Sequence, residues 1–242
     1  TAAGTRSADG ALCEPNREKW RVRFGIPKIF VRGRRTAPAQ HDRHIVWAES
    51  GKRRSALFVA TDQGVAVEPI SAIAHLGCQA VAVTTDRGGT IYVAGHCLGQ
   101  KAPGHGFIAT RRTDGWSVTF RKRSVTAVGR ADTPAGVLAI EASRHLLRCD
   151  GKLQCRSVGR ASQTLVALSS HGAIGADGTV YETNQLRPVS QSPGYGLEIT
   201  QVLESRRGTV ALFGPVISGS ENHPFCVRSI IAQYTPKGWK AL

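Results

Sequence analysis

The chain has 242 residues, 41% of them hydrophobic, which excludes general disorder and suffices for one all-β domain or two small ones. Lys and Arg number 32 against 17 Asp and Glu, a formal charge of +15, so the field of the protein attracts anions. No run of about 18 apolar residues occurs, which excludes a membrane-spanning helix.

The opening TAAGTRSADGAL, residues 1–12, is small, polar and without period. It reads as a flexible tail left after removal of a signal peptide, with residues 13–242 forming one domain. The chain has no methionine, in keeping with a processed N-terminus. Next comes KWRVRFGI, Lys19 to Ile26, in which Trp20, Val22 and Phe24 alternate with Lys19, Arg21 and Arg23. That pattern is an amphipathic strand with no partner of its own. KIFVRG, residues 28–33, is a second candidate strand.

From there a pattern repeats. ALFVATDQGVAVEPI (56–70) is a strand, a D-x-G turn and a strand. AVAVTTDRGGTIYVAG (80–95) and LVALSSHGAIGADGTVYETN (165–184) follow the same plan. VLAIEASRHLLRCDGKLQCRSV (137–158) has it with a longer first hairpin. TVALFGPVISGS (209–220) and SIIAQYTPKGWKAL (229–242) carry it to the end. No segment shows a three-turn helical stripe with caps. The units fall at 44–70, 71–124, 125–158, 159–195 and 196–242, about forty residues each on average, the period of propeller blades. The expected fold is therefore all-β, a small β-propeller of five blades with an N-terminal strand closing the ring. Six blades follow if residues 13–43 supply most of another, and a two-sheet sandwich is the rival architecture.

Six cysteines in a processed chain predict disulfides and an oxidising compartment, secreted or periplasmic. Zinc sites favour tight CxxC pairs, and none occurs. Cys149 and Cys155 flank DGKLQ and pair across a hairpin. Cys78 opens a strand and Cys97 ends its return, so they pair within one unit. Cys13 and Cys226 then remain, a pair that would lock the ring. Six cysteines allow about 15 connectivities, and this one rests on the expected fold.

TTDRGGTIY resembles the Asp-box of sialidase-type and related propellers, S/T-x-D-x-G-x-T-W. Thr84, Asp86, Gly88 and Thr90 fit, and Ile91 stands in place of the tryptophan. The resemblance implies the β-propeller superfamily and makes Asp86 a hairpin residue remote from any active site. The chain length is also similar to that of small five-bladed lectins of the tachylectin type.

Chemistry is sparse. Asp9, Asp62, Asp86, Asp114, Asp150 and Asp177 all sit in D-G or D-x-G, the wording of turns. Few carboxylates are left to supply the facing pair a glycosidase needs. Neither a serine elbow nor a phosphate loop is present. No cofactor or metal signature appears, so the reading leans to binding and not to catalysis. His41 and His44 in HDRH, and His96 and His105 in GHCLGQKAPGHG, are the densest histidine groups; the second lies in an insertion suited to a propeller rim.

Basic clusters are the strongest signal: Arg32, Arg34 and Arg35; Lys52, Arg53 and Arg54; Arg111 and Arg112; Arg121, Lys122 and Arg123; Arg206 and Arg207. The candidate ligand-binding residues are Arg32, Arg34, Arg35, Arg53, Arg54, His96, His105, Arg111, Arg112, Arg121 and Arg123. The expected partner is an acidic glycan or another polyanionic surface, with nucleic acid bound non-specifically. A protein-interaction scaffold using the propeller rim is the second reading, and a glycan-acting hydrolase the third.

Overall fold

The structure, a computed structural model, describes residues 34–36, 39–41, 44–51, 55–99, 101–131, 136–205, 208–214 and 229–242. They form five antiparallel sheets arranged as the blades of a β-propeller. The first blade holds β1 (Arg34–Arg35), β2 (Ala39–His41), β3 (His44–Ser50), β4 (Ser55–Thr61) and β5 (Gly64–Pro69). A 3₁₀ turn, Ser71–Ile73, leads to the second: β6 (Cys78–Thr85), β7 (Ile91–Cys97), β8 (Gly106–Arg112) and β9 (Gly115–Arg121). The third comprises β10 (Val125–Arg130), β11 (Val137–Glu141), β12 (His145–Cys149) and β13 (Cys155–Arg160). The fourth comprises β14 (Leu165–Ser169), β15 (Gly172–Gly175), β16 (Val180–Tyr181) and β17 (Pro188–Ser190). The fifth comprises β18 (Glu198–Ser205), β19 (Gly208–Gly214), β20 (Ile230–Thr235) and β21 (Gly238–Ala241).

Five blades match the repeat, with two shifts of boundary: β13 runs past the expected end of its unit at 158 to Arg160, and the first blade starts before 44. The first blade reaches back to Arg34, because β1 and β2 follow one another along β3, Arg34 opposite Ser50 and Ala39 opposite Val46. Together they act as a broken first strand. KWRVRFGI, the tail of residues 1–12 and the Cys13–Cys226 pair lie outside the described residues.

Each first strand carries one residue more than its neighbour. The register slips between Ala80 and Ala82, Val125 and Ala127, Leu165 and Ala167, and Ile199 and Gln201. In the first blade, the steps from Arg35 to Ala39 exceed those from Glu49 to Val46 by one. In sequence these sites read AVAV, VTAV, LVAL and ITQV. Such a bulge bends the strand and raises its twist, as a strand crowded around an axis requires.

The cores lie between blades. In β7, Ile91 and Val93 join a cluster with Val46, Leu57 and Phe107, while Tyr92 and Ala94 join Val128, Ala139 and Leu147. Alternate residues of one strand thus face different blades, which is why these strands read as continuous apolar runs. Leu138, Ile140 and Leu146 pack on Ala173 and Tyr181, and Ile174 and Val180 on Phe213 and Ala232. Each fully buried Leu, Ile, Val or Phe among them contributes about 1.5–3 kcal/mol. Trp239 fastens the fifth blade to the fourth: its Nε1 donates to the Gly178 carbonyl at 2.6 Å, and its ring meets Phe213 edge-on at 5.4 Å.

Two disulfides join directly opposed residues. Cys78–Cys97 links β6 to β7, and Cys149–Cys155 links β12 to β13 across the DGKLQ turn. Among the described residues, no helix is long and apolar enough to cross a membrane.

Connectivity sorts the loops onto two ends. Links from second to third strands and between blades share one end, here the loop end. The short hairpins from first to second and third to fourth strands share the other, the turn end.

Candidate functional site

Asp86 lies at the turn end and is 2% exposed. Its Oδ1 accepts the Gly88 and Thr90 N–H groups, each at 2.9 Å, and its Oδ2 accepts the Tyr92 hydroxyl at 3.3 Å. Gly89 takes a left-handed φ of 82° to close this five-residue loop. Asp150 repeats the device, accepting the Lys152 and Gln154 N–H groups at 2.9 Å with Leu153 at φ 62°. At Asp177 the carboxylate accepts the Thr179 N–H and hydroxyl and the Gln163 amide. These carboxylates hold turns, as the Asp-box resemblance implied for Asp86. Asp62 differs: in its hairpin the Thr61 hydroxyl accepts the Gln63 N–H at 3.1 Å.

Burial first, then the adjacent Asp86 charge, pushes the Tyr92 phenol up to about 12. The fold therefore favours the protonated phenol. The stability it contributes is complete below about pH 10, the unfolded value, and is lost as pH rises towards about 12. Alkaline titration followed by tyrosinate absorbance should show a phenol that ionises only as pH approaches about 12, and Asp86→Asn should bring it down.

The sequence-predicted arginines do not gather at one place. Arg111 and Arg112 end β8 at the turn end, whereas Arg121 and Arg123 flank the link to β10 at the loop end. β9, with 7 residues, separates them by roughly 20 Å. All four touch a neighbouring blade. Arg111 Nε meets Glu68 Oε2 of the first blade at 2.6 Å. Arg112 Nη2 donates to the Gly151 carbonyl of the third at 2.8 Å. Arg121 Nε pairs with Glu141 Oε1 at 2.9 Å, and Arg123 Nη1 meets His145 Nε2 at 3.1 Å. Arginine's five donors let one guanidinium tie blades and still present N–H groups outward. Arg34 and Arg35 lie in β1, on the first strand. Arg32, Arg53, Arg54, Lys52, Arg206 and Arg207 lie outside the described residues.

The insertion between β7 and β8, residues 98–105, is the most built feature of the loop end. Cys78–Cys97 staples its base. Leu98 N–H donates to the Gly77 carbonyl, and Cys97 N–H to that of His105. The loop lies flush on its neighbours: a Cβ at Gly99 would overlap the Leu76 carbonyl oxygen, and one at Gly104 that of Arg121. Gly99, Ala102, Pro103, Gly104, His105 and Lys122 line an open groove of about 430 Å³. His105 and Lys122 in its lining are exposed, as is Lys101 in the same loop. His96, half-buried in β7 between Gln79 and Gly106, lies at the loop's base.

Beside the groove runs the boundary of the second and third blades. In register across β11, β12 and β13 stand Glu141, His145 and Arg160, with Arg121 and Arg123 reaching over from the second blade. Glu141 is engaged by Arg121, and Arg123 meets an imidazole. Sequence reasoning did not name Lys101, His145 or Arg160 among the candidates, although Lys101 lies in the insertion it singled out. Only the strand register of the third blade sets Arg160 opposite His145, which Arg123 meets, and no local motif encodes that. Among the described residues, no group of three His, Cys, Asp or Glu side chains converges to hold a metal ion.

Five antiparallel blades, with an open groove at the loop end of the second, define a small five-bladed β-propeller. No family model matches the chain, and neither does any curated protein. Solved structures share its fold. A Bacteroides caccae protein of unknown function is 12% identical, with TM-score 0.51 over 87% of this chain and 82% of its own. A protein provisionally assigned as a gluconolactonase is 14% identical, with TM-score 0.51 over 70% and 67%. A chain of a mitotic checkpoint complex is 11% identical, with TM-score 0.52 over 86% and 78%. At these identities the likeness is one of fold.

Proposed function

We propose that this protein is an extracytoplasmic binding module that takes an anionic chain, such as an acidic glycan, on the loop end of its second and third blades. The observation that carries this reading is the groove beside the β7–β8 loop: a stapled, glycine-fitted loop lined by His105 and Lys122, with the exposed Lys101 in the same loop and Arg123 one residue beyond Lys122. A loop fixed at its base by a disulfide loses less entropy on binding than a free one, and clustered cations give long-range attraction. The two disulfides support a site of action in an oxidising compartment.

Binding of a sulfated oligosaccharide should weaken linearly in log Kd against log salt. Lys101→Gln and Lys122→Gln should each weaken binding by about two- to fivefold and flatten that slope. Isothermal titration at several salt concentrations measures both. Salt-independent binding, or full affinity in the double variant, would sink the proposal.

A further inference from the structure

The Arg123–His145 contact holds no carboxylate. Arg123 Nη1 lies 3.1 Å from His145 Nε2. A guanidinium only donates, so this ring nitrogen accepts, and the proton of the neutral imidazole sits on Nδ1. The groups around it are known from each packed element. Arg121, Lys122 and Arg123 come from the link between β9 and β10, Glu141 from β11, Arg144 from the turn before β12, and Arg160 from β13. Glu141, opposite His145 in register, is engaged by Arg121 at 2.9 Å. Arg160, opposite on the other side, and Arg123 are both exposed. Directly opposed side chains on one face lie roughly 5 Å apart at Cβ. Two guanidinium groups and an imidazole, carried by three backbone segments, are thus brought to one blade boundary.

We infer that Arg123, His145 and Arg160 form a proton-linked site for a tetrahedral oxyanion, the sulfate or phosphate group of an anionic chain. The inference rests on the anion-binding reading of the loop end and names the group that end selects. Protonation of Nε2 ends its role as acceptor and sets two cations side by side, which an oxyanion between them relieves. Proton and oxyanion then bind together, and each raises the affinity of the other by the same factor. Each guanidinium fork matches a carboxylate or a phosphate, but a sulfate ester or terminal phosphate offers three free oxygens to the three groups where a carboxylate offers two. The proton comes from solvent, and no covalent step is involved.

The test titrates the intact protein with a sulfated oligosaccharide, a short polyphosphate and polygalacturonate, at about pH 7.5 and about pH 5.5, either side of the ordinary histidine value. The sulfated chain or the polyphosphate should bind about three- to fivefold more tightly at the lower pH. Titration in buffers of different ionisation enthalpy should show proton uptake on binding. His145→Gln keeps an acceptor for Arg123 but does not titrate; it should lose the gain and keep the affinity seen at the higher pH. His171→Gln, in the turn-end hairpin between β14 and β15, should keep the gain. The tighter of the two oxyanion chains identifies the source of the group. Polygalacturonate binding as tightly as either, or a gain that persists in His145→Gln, overturns the oxyanion site and leaves the anion-binding reading standing. Failure of all three chains to bind at low salt overturns both.

Discussion

Asp86→Ala is expected to be among the most destabilising substitutions in the second blade, costing about 3 kcal/mol. The carboxylate is buried and accepts two backbone N–H groups and the Tyr92 hydroxyl. Alanine leaves those donors facing a buried void. For a domain of this size the melting temperature should drop by roughly 6–12 °C. Asp86→Asn keeps one oxygen in place of Oδ1 and should cost less than half as much. Calorimetry on the two variants checks this. Equal losses would mean that the charge, and not the accepting oxygen, holds the loop.

The second large effect is removal of Cys78–Cys97. The disulfide closes a loop with sequence separation 19, against 6 for Cys149–Cys155. In the chain-entropy model the first contributes about 3 kcal/mol and the second about 2. Both Cys78 and Cys97 are buried, so the paired alanine variant also leaves small voids. It should unfold at lower denaturant than the Cys149/Cys155 pair variant. It should also weaken anion binding, because the staple lies at the base of the groove loop, whereas the other disulfide lies at the turn end. Stability loss without loss of affinity would detach the staple from the site.

Several parts of this arrangement were legible in the sequence. The blade count followed from strand–turn–strand units, because every blade repeats one problem: apolar residues on both faces and glycine or aspartate at the turns. Two disulfides followed from strand pairing, since Cys78 faces Cys97 and Cys149 faces Cys155 in register. The one-residue bulges were not legible. AVAV and LVAL look like unbroken strands, and the slip exists only relative to the neighbouring strand. The first blade began earlier than its periodicity suggested because its first strand is broken, and TAPA (36–39) carries no period of its own.

The site was harder to read for a geometric reason. RR at 111–112 and RKR at 121–123 are near in sequence, yet one strand carries them to opposite ends of a blade. Arg111 and Arg121 are also engaged by carboxylates of different neighbours, Glu68 and Glu141. A cluster of like charges in sequence shows the sign of the field and not its direction. His105 and the insertion were readable because an inserted loop on a propeller must emerge at a rim. His145 and Arg160 needed the register of β12 on β13.

The central claim is that the loop end of the second and third blades takes the anion. Lysine-reactivity footprinting tests it most directly, with a sulfated oligosaccharide bound at low salt and the modified lysines read by mass spectrometry. Lys101 and Lys122 at the loop end should be protected, while Lys152 and Lys237 in turn-end hairpins should react as in the free protein. Protection of Lys152 and Lys237 with Lys101 and Lys122 left reactive, or equal protection of all four, would contradict it.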